Sequence, residues 1–237
     1  MAFTGKVLAN QSVSPSVFLL RIQVGGETPF SFKAGQFVII PVPQGDAPKP
    51  LKAFMSIASA EQAGAEIELL VEHRPEGGPV SAWMSTRQPG DSFEVQGPMG
   101  HFALAETQEK GQAFLASRAG LAPLRSMILS SLAHGGDKHH WLFLGAHGAA
   151  DLLLDAEWRA LAAKELRFHY LPVVQPTAEN PFQGKNSDPA DELLKKIAQR
   201  HGLRIYLAGF SKDVDPMLAK LESAGFAKDD IKAEKFG

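Results

Sequence analysis

Apolar and polar positions follow two different periods along this chain. Residues 6–12, 17–24, 36–42, 52–58, 66–73 and 91–96 are short β-rich runs separated by Gly, Pro and Ser. In the last of them Phe93 and Val95 alternate with Ser92, Glu94 and Gln96, the period of a half-buried strand. Strands at this spacing predict a small antiparallel barrel. One helical segment interrupts them. Gly77 and Gly78 precede PVSAWMSTR, and Pro79 suits a first helical turn, where a missing N–H costs little. Gly90–Asp91 and GPMGHF at 97–102 read as turns.

Further on, apolar strand runs alternate with helical patterns. Strands are predicted at 114–116, 140–145, 166–174 and 203–208. Helices are predicted from Leu121 to about Ala133, and over 149–163, 188–201 and 212–224. Asp188–Pro189 gives the third of these an N-cap followed by proline. Strand–helix alternation implies a doubly wound α/β domain with a parallel sheet. The polar stretch TQEKGQ at 107–112 separates the two regimes. The expected organisation is therefore a β-barrel domain over residues 1–107 and an α/β domain over 108–237.

The segment FLASRAGLAPLRSMI at 114–128 joins the first parallel strand to its helix. A small-residue turn, 117–120, lies between them. Leu121, Leu124, Met127, Ile128 and Leu132 recur at helical spacing. In an open α/β sheet such a turn sits at the carboxyl end of its strand, and the helix N-terminus offers free N–H groups to an anion. The pattern by itself fits an ordinary strand–helix connection equally well.

Composition narrows the chemistry. Formal net charge is −2 over 237 residues, so there is no basic footprint for nucleic acid. The sequence has no cysteine, which removes disulfides, thiolate metal sites and a Cys nucleophile. No apolar run is long enough to cross a bilayer, and MAFTGKVLANQSV has no apolar signal core, so a cytoplasmic location is the default expectation. None of the eight histidines pairs at i, i+4 around a Glu as a zincin requires, so no metal site is expected. His139 and His140 would diverge on a strand. Trp83 and Trp158 fall on apolar helix faces and read as core. Asp151, Asp155 and Glu157 read as the acidic start of a helix.

Taken in order, seven short motifs resemble the ferredoxin–NADP reductase superfamily, in which a flavin-binding barrel precedes a pyridine-nucleotide domain. They are FKAGQFV at 32–38, SIAS at 56–59, GGPVS at 77–81, GPMGHF at 97–102, the 116–123 loop, YLAGF at 206–210 and EKF at 234–236. The match covers nearly the whole chain. It implies an oxidoreductase that uses FAD to pass electrons between NAD(P)H and an acceptor, which is a separate protein or a small molecule. It assigns Lys52, Phe54, Met55, Ser56, Ile57, Gly77, Gly78, Val80 and Ser81 to the flavin. It assigns Arg118, Gly120, Ala122, Pro123, Ala208 and Gly209 to the nicotinamide nucleotide, and gives Ser56, Glu234 and Phe236 catalytic places. Gly77 and Gly78 let backbone approach the flavin pyrophosphate, and Ser81 adds a hydroxyl donor. The family's C-terminal aromatic stacks over the flavin. For Phe236 both that role and a frayed tail are open.

The chain departs from the family at three places. The Arg and Tyr expected three and one residues before Ser56 are Ala53 and Met55, while Lys52 and Phe54 stand one residue off. A one-residue shift turns a strand side chain to the other face. Either a bulge returns Lys52 and Phe54 to the flavin, or Met55 packs on it and the cation is lost. A third reading makes Lys52 solvated and Phe54 barrel core. In the nucleotide loop the family's Gly-Gly-Thr is Ser117, Arg118, Ala119, and Arg118 either binds a phosphate or obstructs the site. His147 replaces a frequent Arg, and Ala208 replaces a Cys that faces the nicotinamide in many members. The NAD(P)H:flavin oxidoreductase branch also reads Ala-Gly there and resembles LPVVQPTAENPFQG at 171–184. Its members use flavin as a substrate. These departures keep two alternatives open: such a flavin reductase, or a degenerate member that binds without hydride transfer.

Overall fold

The structure is a computed structural model and describes residues 1–45, 48–73, 78–105, 109–174, 188–197 and 202–236. By its contacts the chain divides into two compact units. One comprises Met1–Leu104 with Arg125–His134, and the other Ala105–Leu124 with Gly135–Gly237.

The first unit is a six-stranded antiparallel sheet in the order β4-β3-β6-β1-β2-β5. Its strands are β1 (Ala2–Ser14), β2 (Val17–Gly25), β3 (Phe37–Val42), β4 (Leu51–Ser56), β5 (Glu66–Glu72) and β6 (Ser92–Met99). Alternation places Phe3, Val7, Leu20, Ile22, Val24, Ile67, Leu69 and Val95 inside, where they form one buried core. The two edge strands meet through an isolated antiparallel bridge between Ile57 and Leu69, and the Ala58 N–H donates to the Glu68 carbonyl at 2.7 Å. That bridge closes the barrel and removes two unpaired edges. The helix α1 (Gly78–Ser85) is held at its far end by Asn10, whose Nδ2 donates to the carbonyls of Ser85 at 3.0 Å and Arg87 at 2.9 Å. The Ser85 carbonyl is one that a helix end leaves without an intrahelical donor, and Arg87 lies just beyond that end.

Residues 125–134 of α2 (Leu121–His134) belong to this unit. Arg125, 7% exposed, donates through Nη1 to the Ala58 carbonyl at 2.8 Å and to Glu68 Oε2 at 2.7 Å. Its charge is thus paired and hydrogen-bonded at the barrel's closing seam, as burial of a guanidinium requires. Ser130 Oγ accepts from the Glu61 N–H at 2.9 Å.

The second unit is a five-stranded, all-parallel sheet in the order β11-β10-β7-β8-β9. Its strands are β7 (Gly111–Ser117), β8 (His139–Ala146), β9 (Phe168–Val174), β10 (Leu203–Phe210) and β11 (Ile231–Phe236). The helices are the start of α2, then α3 (Asp155–Lys164), α4 (Pro189–Lys196) and α5 (Ser211–Ser223). Ala113, Leu115, Phe143, Ile205 and Leu207 share a buried cluster with Leu193 of α4 and Val214, Met217 and Leu221 of α5. Phe114 lies between the stacked rings of Tyr206, at 5.3 Å, and His140, at 6.3 Å. Central strands covered on both faces read as near-continuous apolar runs, which is why FLA and YLA were legible as strands.

Four expectations change. Gly111 and Gln112, read as boundary, are buried in β7. The helix expected from Ala149 begins at Asp155; a 3-10 turn at Ala149–Asp151 and a left-handed Leu154, with φ 58°, precede it. So Asp151 is not part of its acidic first turn. The helix after Asp188 ends at Lys196, with Ile197 extended. Trp158 is core as expected, but Trp83 is only partly buried, edge-on to Phe93 with the Arg87 guanidinium 4.2 Å over its ring.

Gly35 generates a stability test. Its φ is 96°, and a Cβ there would overlap the Phe102 carbonyl oxygen and the Met127 methyl. Gly35→Ala should cost about 3 kcal/mol or more, strain and overpacking combined. At Gly25 a Cβ meets nothing within 4 Å. Gly25→Ala should therefore shift stability by no more than about 0.5 kcal/mol. Urea unfolding of both variants checks the contrast.

Candidate functional site

The strand order of the second unit reverses between β7 and β10, so their carboxyl ends form the topological switch point where open α/β sheets bind ligands. A crevice of about 190 Å³ lies at that edge. The ends of β7, β8 and β9 supply Ser117, Ala146 and Val173, and the turns beyond them supply Arg118 and His147. The N-terminal ends of α4 and α5 supply Asp188, Pro189, Lys212 and Asp213.

Each local conformation has a cause. Gly120 is buried, and a Cβ there would run into the Ala208 carbonyl and the Gly209 Cα. Only glycine lets the turn lie against β10. Arg118 adopts φ 54°, the left-handed region, where glycine would sit without strain. The chain thus puts a cationic side chain where the backbone has a shape that glycine adopts freely. Gly145 is flanked by the Pro189 ring, which a Cβ would meet at 3.1 Å. Asp188 caps α4 by accepting from the Asp191 N–H at 2.9 Å, and Lys220 pairs with Asp188 at 2.7 Å and Asp191 at 2.8 Å. The pairing with Lys220 holds the Asp191 carboxyl below its usual range. Ser117 Oγ donates to Asp213 Oδ2 at 3.4 Å. Ala122 and Pro123 are buried in the first turn of α2.

In the first unit, β4 pairs with β3 in unbroken register from Leu51 to Ser56. No bulge is present there. Lys52, Phe54 and Ser56 consequently share one face, while Ala53 and Met55 turn toward the barrel core. The reading of Phe54 as core is corrected, since it is 64% exposed and lies 6.0 Å from the Phe37 ring. Lys52 is exposed, as the solvated reading had it. Ile57 is fully buried at the closing bridge, so its side chain serves the barrel and leaves only its backbone for a ligand. At the start of α1, Gly78 has φ 73° and open space around it; Val80 is partly buried, and Ser81 Oγ donates to the Gly78 carbonyl at 3.3 Å. Gly77 lies outside the described residues, as does most of the 171–184 motif.

The C-terminal motif is an ordered strand, which decides against a frayed tail at Phe236. β11 pairs parallel with β10, setting Glu234 beside Ala208 and Phe236 beside Phe210, whose rings meet edge-on at 6.2 Å. Glu234 Oε2 is buried and finds no hydrogen-bond partner among the described residues. Burial pushes its carboxyl up to about 7. Burial also drives the His140 imidazole down to about 4, so it is a neutral core ring. His139 lies on the opposite, exposed side. Among the described residues no three His, Asp or Glu side chains converge as metal ligands, and no helix is long and apolar enough to cross a membrane. Sequence reading assigns no ligand role to Asp213, and reads Pro189 only as the first residue of a helix. Asp213 lies three residues beyond YLAGF and Pro189 directly after Asp188, and the crevice brings them together.

Residues 4–104 match the family described as oxidoreductase FAD-binding domain, and residues 114–217 the oxidoreductase NAD-binding domain. Ferredoxin–NADP reductase B of Sorangium cellulosum is 33% identical over 170 residues, covering 71% of this chain and 68% of that protein. The reductase component DmpP of phenol 2-monooxygenase from Pseudomonas sp. strain CF600 is 30% identical over 237 residues, 99% of this chain. The chain spans 65% of that relative's length. The crystal structure of a ferredoxin NADP+ reductase from Neisseria gonorrhoeae with bound FAD and NADP superposes with a TM-score of 0.83 at 23% identity, over 99% of this chain and 98% of that one. With the two-unit fold and the ordered motifs, these matches show that the chain belongs to the ferredoxin–NADP reductase superfamily of flavin- and pyridine-nucleotide-binding oxidoreductases.

Proposed function

We propose that this protein passes electrons from NAD(P)H through FAD to a separate acceptor, as the reductase component of a larger redox system. The observation that carries the reading is the crevice at the β7/β10 switch point, with Arg118 and Lys212 at its lip, in the segment that matches NAD-binding domains. DmpP is named as the reductase component of a monooxygenase. An acceptor protein of that kind is the partner we infer. These 237 residues contain no cysteine, so a thiolate-held iron–sulfur cluster would sit outside them.

The residues present fit an FAD. Phe54 offers an exposed aromatic face with the Ser56 hydroxyl and the Lys52 ammonium on the same side of β4. The open, positive-φ backbone at Gly78 and the N-terminal turn of α1 suit a pyrophosphate. FAD, when bound, supplies the redox chemistry that links a two-electron donor to its acceptor. The protein's part is to hold and orient. Phe54 would provide the stacking surface, Ser56 would donate a hydrogen bond to the ring edge, Lys52 would offset phosphate charge, Ser81 would donate a hydrogen bond to a phosphate oxygen, and Met55 packs the strand against the core. Gly120, Ala122 and Pro123 shape the turn under the nucleotide, and Arg118 binds its phosphate. Ala208 and Gly209, at the end of β10, pack directly against that turn. Glu234, beside Ala208, brings a buried carboxyl that holds its proton to about pH 7, and Phe236 closes the same edge. Hydride transfer itself needs apposition of donor and acceptor and no general base.

Purified protein decides between the readings of flavin. Yellow protein that oxidises NADH or NADPH and reduces an added acceptor is the expected outcome. Colourless protein active only with added flavin would make flavin a substrate. Colourless protein inert in both assays would defeat the proposal.

Arg118→Gly tests the phosphate role. Glycine adopts φ 54° freely, so the turn keeps its shape and only the cation is lost. A charge-assisted hydrogen bond is worth roughly 1.5–3 kcal/mol, so KM for the nucleotide should rise about tenfold or more. A lower KM for both cofactors would make Arg118 an obstruction.

The Glu234 carboxyl gives a signed pH test. Its folded value is raised from 4.5 to about 7, so the unfolded chain loses this proton first as pH rises. Stability from this group is full below about pH 4.5 and declines toward pH 7. Glu234→Gln removes the decline. Its Tm advantage over the native protein should grow between about pH 4 and about pH 8, and a constant difference in thermal scans would refute the buried-acid assignment.

A further inference from the structure

We propose that Asp213 makes the nucleotide crevice select NADH over NADPH. The inference rests on the reading above that the crevice binds a pyridine nucleotide, and it names which one. Among the described residues, the side chains of Arg118, Lys212, Asp188 and Asp213 bring charge to its lining. Two carboxylates thus stand among two cations there. The two carboxylates differ in their own surroundings. Asp188 is spent twice, as the N-cap of α4 and in a 2.7 Å ion pair with Lys220. Among the described residues no lysine or arginine pairs with Asp213; its donor is the Ser117 hydroxyl at 3.4 Å. Asp213 thus presents its charge to the crevice, partly buried, beside the end of β7.

A carboxylate so placed acts on the two dinucleotides in opposite ways. It accepts hydrogen bonds from ribose hydroxyls, which NADH offers at both positions of its adenosine ribose. NADPH replaces the 2′-hydroxyl by a phosphate of up to two negative charges, which removes a donor and adds repulsion. Selection against the wrong ligand by a like charge is how a crevice that also holds two cations would avoid taking the more anionic cofactor.

The test is calorimetric binding of NAD+ and NADP+ to the FAD-loaded protein at low ionic strength, for the native chain, Asp213→Asn and Lys212→Gln. The native protein should bind NAD+ more tightly. Asp213→Asn should move the affinity ratio toward NADP+ by about fivefold or more, and Lys212→Gln should move it the other way. A ratio that stays within about twofold in Asp213→Asn, or a native protein that prefers NADP+, overturns the proposal. Native protein that binds neither dinucleotide overturns it together with the nucleotide reading. Protein that binds NAD+ with the expected shifts but passes no electrons refutes only the proposed electron transfer and leaves the selection standing.

Discussion

The close approach of the Arg118–Gly120 turn to β10 is the constraint on which the second unit depends. With a side chain at Gly120 the turn would collide with the Ala208 carbonyl, so β7 and β10 could not remain neighbours at their carboxyl ends. That neighbourhood is what makes the sheet's order reverse there, and the reversal opens the crevice. The left-handed Arg118 follows from the same geometry. The chain must turn sharply within three residues, and the φ it needs is one glycine adopts freely. A cationic side chain held at that point costs backbone strain. Strain retained at a binding edge is a common mark of function.

The barrel solves a different problem. Its sheet has two edges, and a single bridge between Ile57 and Leu69 joins them at the end of β4. The buried Arg125 guanidinium ties the same seam through Ala58 and Glu68. The strand that carries Lys52, Phe54 and Ser56 is therefore fixed at the end nearest Ser56. Its register with β3 then decides which side chains face outward. An aromatic ring exposed on that face gains nothing for the barrel core. Under the proposed function its apolar surface would be covered by the flavin.

Electrostatics divides the crevice by purpose. Lys220 neutralises the carboxylates that cap α4, which secures the wall formed by Asp188 and Pro189. Arg118 and Lys212 line the crevice with Asp213, and under the proposed nucleotide reading the two cations would draw an anionic ligand while the carboxylate would limit its negative charge. Glu234 belongs to a different regime, because burial without a partner shifts its proton affinity to the neutral range and leaves it able to hold or release a proton near working pH.

Local periodicity alone was enough to read most elements: the six barrel strands, the strand–turn–helix at 114–128, and the helix beginning at Pro189. Their signals lie within a few residues of one another, as alternation, helical spacing and capping residues do. The order of seven weak motifs identified the family for the same reason. What sequence left open were questions of facing and proximity. The either/or between a bulge and Met55 does not hold: β4 pairs with β3 without a bulge, yet Lys52 and Phe54 face outward and Met55 packs toward the core, a facing only the sheet pairing shows. The strand over Ile231–Phe236 was missed because IKAEKF has little apolar content of its own; its hydrogen bonds to β10 make it a strand. Asp213 stands 96 residues from the Ser117 it contacts. No window along the chain contains both, and the parallel sheet alone brings them to one edge.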